Sequence, residues 1–155
     1  MQGVYRASGT VSAVTTAKTL LYLTTPSTAV IEILRASITC QDEDTSEQIF
    51  AHLSRIATLG TPTKTDITPK PTEEGSSASG TTAHLNVTAS EPTYDAIGDS
   101  IHSGGANKLA SWEYVPLPEE RPIISPSDSV GLALVDAIAT SSDLTVEILY
   151  RELGT

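Results

Sequence analysis

The chain has 155 residues, 39% hydrophobic and 5% aromatic, enough for one domain whose core must be built from Leu, Ile, Val and Ala. Its 9 Lys and Arg stand against 19 Asp and Glu, a formal charge of −10 that repels a phosphate backbone and argues against nucleic-acid binding. A single cysteine, Cys40, excludes an internal disulfide, and no apolar run approaches the length of a membrane span.

The first eight residues, Met1 to Ser8, open with Met1 to Arg6, which lacks the charged and apolar regions of a secretory leader, so the protein is expected to be made and kept in a reducing cytosol. They read as an N-terminal arm able to order on contact with a neighbour. Eight strand candidates follow: Gly9 to Thr15, Thr19 to Thr24, Ala29 to Cys40, Gln48 to Leu59, Thr81 to Thr88, Lys108 to Val115, Ser129 to Asp136 and Leu144 to Leu153. In Val30-Ile31-Glu32-Ile33-Leu34 both faces carry apolar side chains, as in a strand covered on both sides. One cover would be the core and the other a neighbouring subunit. Ile49, Leu53 and Ile56 have helical spacing, but Ser and Thr near the segment's end and the lack of a strong cap favour a strand there.

Gly60 to Gly80 is rich in Thr, Pro, Ser and Gly, and Ser90 to Gly105 is similar. Each reads as a long surface loop or as an arm reaching across to a neighbour. In the closing run Leu144, Val146, Ile148 and Tyr150 share one face. Thr145, Glu147 and Arg151 share the other, where Leu149 is the one apolar exception. This is the period of a half-buried antiparallel strand. The fold expected is all-β: a single antiparallel β-sandwich over residues 1–155, with long Pro/Ser/Thr/Gly-rich loops.

No catalytic constellation emerges. His52, His84 and His102 lie far apart, without metal-ligand spacing. Asp99, Ser100 and His102 are adjacent in sequence, whereas a triad needs side chains converging from separate elements around an oxyanion hole. Asp42-Glu43-Asp44 lacks the Gly and the distal Glu of an EF-hand loop. No metal, cofactor or enzyme activity is expected. Trp112 and Tyr114 form the only dense aromatic site, read either as packing or as a sugar-stacking platform.

The order of segments carries a resemblance. "TTPSTAVIEILRASITCQDEDTSEQIFAHLSRI" is followed by a loop with "TPTKTDITPKP", then "ASWEYVPLPEERPIISPSDSVGLALVDA" and "LTVEILYREL". This pattern, over nearly the whole chain, resembles small all-β virion proteins of tailed bacteriophages and prophages, of the head decoration (cement) kind. The resemblance implies a jelly-roll-like sandwich, commonly a homotrimer, on the outer surface of a capsid. The implied partners are the major capsid protein and other copies of the chain, with no nucleic acid and no membrane. Contacts are expected from the arm and loops: Val4, Tyr5, Arg6, Pro62, Lys64, Pro69, Lys70, Pro71, His102 and Lys108. The alternative is a carbohydrate- or receptor-binding β-sandwich module of a phage tail or similar assembly, using Trp112 and Tyr114. A cupin-type enzyme would need clustered His with a Glu, which the chain lacks.

Overall fold

The computed structural model describes residues 2–41 and 45–154. The elements in chain order are β1 (Gln2–Val14), β2 (Thr19–Thr24), β3 (Ala29–Cys40), β4 (Gln48–Thr58), β5 (Thr63–Ile67), β6 (Lys70–Pro71), β7 (Thr82–Ala89), β8 (Thr93–Tyr94), the 3-10 turn η1 (Ile97–Asp99), β9 (His102–Asn107), β10 (Trp112–Tyr114), η2 (Pro118–Glu120), β11 (Ile123–Ile124), β12 (Ser129–Leu134) and β13 (Ser142–Gly154).

They form two antiparallel sheets packed face to face. The first runs β10-β3-β13-β1-β6, with β11 also on β3. The second runs β5-β7-β2-β12-β4-β8, with β9 also on β4. The pairing is nested: β1 with β13, β2 with β12, β3 with β10 and β11, β4 with β9. Successive pairs alternate between sheets, which is how a long hairpin wraps into a jelly roll. The β5–β7 pair departs from that alternation and extends the second sheet beyond β2.

Strand alternation builds the core. Ala7, Val11, Ile31, Ile33, Ile38, Val146 and Ile148 come from the first sheet; Leu21, Leu23, Leu53, Leu85, Val130 and Leu132 come from the second. Gly9 permits one close approach, because a Cβ there would lie 2.7 Å from Leu85 Cδ2 across the sandwich. Trp112 closes one end, where its indole N–H donates to the Gly104 carbonyl at 3.1 Å.

Two expectations about free segments do not hold. The described part of the arm, Gln2 to Ser8, is the first half of β1, in register with Leu153 to Glu147 of β13. It lies between β13 and β6, inside the sheet. The two long loops are stitched into the sandwich: β5 pairs with β7, β6 with β1, and β8 and β9 with β4. Backbone hydrogen bonds within the chain hold segments that composition alone marks as loops. Cys40 is partly buried at the end of β3, packed against the core.

Candidate functional site

The expected contact residues scatter. Tyr5 is buried, with its hydroxyl donating to the Ser77 carbonyl at 3.1 Å. Pro69 is buried, Pro62 and Pro71 are half-buried, and Lys70 is exposed. Lys64 pairs with Asp66 in β5. His102 stacks on Tyr114 with ring centroids 5.0 Å apart and tilts against Trp112 at 5.5 Å. Val4 and Arg6 sit on the outer face of β1.

Lys108 is the plainest correction. It is 1% exposed, and its Nζ donates to Glu47 Oε2 at 2.8 Å and Ser142 Oγ at 3.1 Å. Glu47 also accepts the Ala139 and Thr140 N–H groups. The Lys108 hydrogen bond leads the causes holding the Glu47 carboxyl below its usual range. A buried cation needs such a partner, so this residue ties three segments together and offers no charge to a neighbour.

The other buried polar groups are also framework. Glu152 is 2% exposed and accepts from Ser79 Oγ (2.7 Å), Gly80 N (3.1 Å), Thr81 N (3.1 Å) and Thr81 Oγ1 (2.9 Å). Burial pushes its carboxyl up, but these donors outweigh burial and leave it below the ordinary value. Ser100 Oγ donates to the Ile97 carbonyl while His102 stacks elsewhere, so Asp99, Ser100 and His102 do not assemble a triad. Asp42-Glu43-Asp44 falls outside the described residues. Among the described residues no group of three or more His, Cys, Asp or Glu is placed to hold a metal.

The outer face of the second sheet is covered. The 89–95 segment lays Tyr94 over Gly131, with the Tyr94 hydroxyl 2.7 Å from Thr19 Oγ1. His52 lies beneath, its ring centroid 4.7 Å from that of Tyr94. Its Nδ1 has no partner, and burial lowers its pKa, so it is held neutral. A cavity of about 180 Å³ opens beside it, bounded by Lys18, Thr19, Glu91 and Leu134.

The outer face of the first sheet is built differently. Register sets Lys70, Arg6, Leu149 and Arg35 in one row across β6, β1, β13 and β3. Another row holds Val4, Arg151, Glu32 and Ile123. Glu147 pairs with both Arg6, at 3.0 Å, and Arg35. Glu32 pairs with both Arg151, at 3.0 Å, and Arg121, at 3.8 Å. Arg55 reaches the same edge, donating to the Ile123 carbonyl at 3.1 Å. All five arginines of the chain thus gather on this face or its β11 edge. Sequence reasoning chose only Arg6 among them. The available signal was Leu149, an apolar side chain on a polar strand face, which lies between Arg6 and Arg35. Val30, Leu34 and Leu153 are half-buried on the same side.

No protein-family model matches the chain, and neither the curated proteins nor the solved structures hold a significant match.

Proposed function

We propose that this protein is a virion structural protein of the capsid decoration type, docking as a homotrimer on the outer shell of a tailed phage and bridging major capsid subunits. Sandwich folds host many activities, so the fold alone does not favour this reading. The observation that carries it is the work done by the residues of the resemblance-bearing segments. Arg55 and Arg121 brace the β3–β11 edge, Ile148 and Tyr150 fill the core, and Glu152 fastens the 79–81 turn. These residues make a rigid frame, as a protein that reinforces an assembly requires.

The sugar-binding reading loses its platform, because Trp112 is 2% exposed and presents no free ring face. The test is the mass of the purified protein in solution, together with co-sedimentation with phage shells. A trimer that pellets with shells upholds the proposal; a monomer that never pellets refutes it.

A further inference from the structure

We propose that the outer face of the first sheet is the docking face, and that it receives a protein surface bearing Asp or Glu carboxylates around an apolar centre. This deepens the reading above and rests on it for the identity of the partner, but the chemistry stands on the face itself. Among the described residues Arg6, Arg35, Arg121 and Arg151 are bridged by two carboxylates, Glu32 and Glu147. The centre of the face thus sets four cations around two anions. Lys70 is set against Glu113, against Glu73 beside Arg151, and against Asp143 at the far end of β13, so the excess is local to the arginines. That local excess stands on a chain whose formal charge is −10.

The guanidinium donors are not all engaged. Arg35 Nε and Arg121 Nε have no hydrogen-bond partner among the described residues, but both atoms are buried, so the donors open to a partner are those of Arg6 and Arg151. Arg6 and Arg151 side chains remain 51% and 43% exposed although paired. A guanidinium offers five N–H donors in a fixed fork, so an arginine holding one carboxylate can accept a second. Between these forks lie Leu149 and Leu34, with Ile123 at the edge, 45% exposed. Apolar residues set among arginines match the composition of interface centres. The acidic remainder of the chain repels most other acidic approaches, which confines such a partner to this face.

A solvated ion-pair lattice that merely braces β1, β3 and β13 would have the same internal pairs. The two are separated by titrating labelled protein with oligo-L-glutamate at low salt and following the arginine Nε–Hε signals by NMR. The expected result is saturable shifts at Arg6 and Arg151 that reverse with added salt. The doubly reversed variant Arg6→Glu/Arg151→Glu, which changes the two most exposed members, should weaken binding at least tenfold. Lys18→Glu/Lys64→Glu, with the same change of charge elsewhere, should weaken it less than threefold. No saturable shift, or equal losses in the two variants, overturns the proposal. Co-sedimentation with shells then separates the two levels. Wild-type protein that binds oligo-L-glutamate by this face yet never pellets removes the virion reading and leaves the face standing. Pelleting that survives Arg6→Glu/Arg151→Glu unchanged removes the face.

Discussion

Replacing Gly131 with alanine isolates the strap that covers the second sheet. Gly131 lies on β12, between Tyr22 of β2 and Ser54 of β4, and does not have positive φ. Alanine there carries no backbone strain, and its smaller unfolded-state entropy favours folding by about 0.5–1 kcal/mol. The added Cβ, however, would sit 2.2 Å from the Tyr94 hydroxyl and 2.8 Å from its Cε1. The ring must swing away. It then gives up the hydrogen bond with Thr19, worth about 1 kcal/mol. It also gives up its contact with His52, worth about 1 kcal/mol. Pushing a packed ring aside adds about 1 kcal/mol or more. The net loss is about 2 kcal/mol, a fall in Tm of roughly 4–8 °C for a domain of this size. Calorimetry on wild type, Gly131→Ala, Tyr94→Ala and the double variant forms a cycle. Once Tyr94 is absent, Gly131→Ala should be neutral or slightly stabilising. An equal cost in both backgrounds would show that Tyr94 is not what forbids a side chain at this position.

Glu152→Gln replaces an acceptor of four hydrogen bonds with a group that turns donors toward donors, and should cost about 2 kcal/mol in urea unfolding. Because the Glu152 carboxyl is held below its ordinary 4.5, it contributes stability above that pH and loses it as pH falls through the folded value. The acid limb of Glu152→Gln should be shallower than that of wild type, and parallel limbs would contradict the assignment. His52 is held below its ordinary 6.5, so the unfolded chain binds the proton first. Stability is complete above that pH and declines as pH falls toward the folded value. His52→Phe, which keeps a ring under Tyr94, should reduce the decline that sets in below about pH 6.5, and an unchanged profile would assign it elsewhere. Deleting residues 1–8 removes the β13 pairing from Gln2↔Leu153 to Ser8↔Glu147 together with buried Tyr5 and Ala7. The truncated protein should lose its cooperative thermal transition, and a native-like melt would show that β1 is dispensable up to Gly9.

The elements legible in the sequence were those whose alternation is carried by large side chains. The expected bounds of β2 and β3 match the structure, and β13 follows its apolar period from Leu144 to Tyr150, with polar Ser142 and Glu152 at the buried positions beyond. The first half of β1 was hidden because its inward positions after Tyr5 are Ala7 and Gly9, too small to mark a period. Gly9 is small because Leu85 packs against it. β5, β6 and β8 are short edge strands of polar residues and proline, with little burial to leave a pattern. Lys108 looked available to a partner because Glu47, 61 residues earlier in the chain, gives no local sign of being beneath it.

The arginine face was illegible for the same reason on a larger scale. Arg6, Arg35, Arg121 and Arg151 are spread over the whole chain, and only register brings them together. Their placement differs from that of the other buried or paired polar groups described above. Glu152 and the Lys108–Glu47 pair satisfy donors and acceptors inside one chain. His52 lies under Tyr94, within a strap that the same chain supplies. Among the described residues the first sheet has no corresponding strap: its outer rows keep half-buried Leu34 and Leu149 between guanidiniums that share two bridging carboxylates. A face selected only for solubility on an acidic protein gains nothing from leucines set among arginines. Covering by a complementary surface accounts for both at once, since it would desolvate the leucines while supplying the missing acceptors.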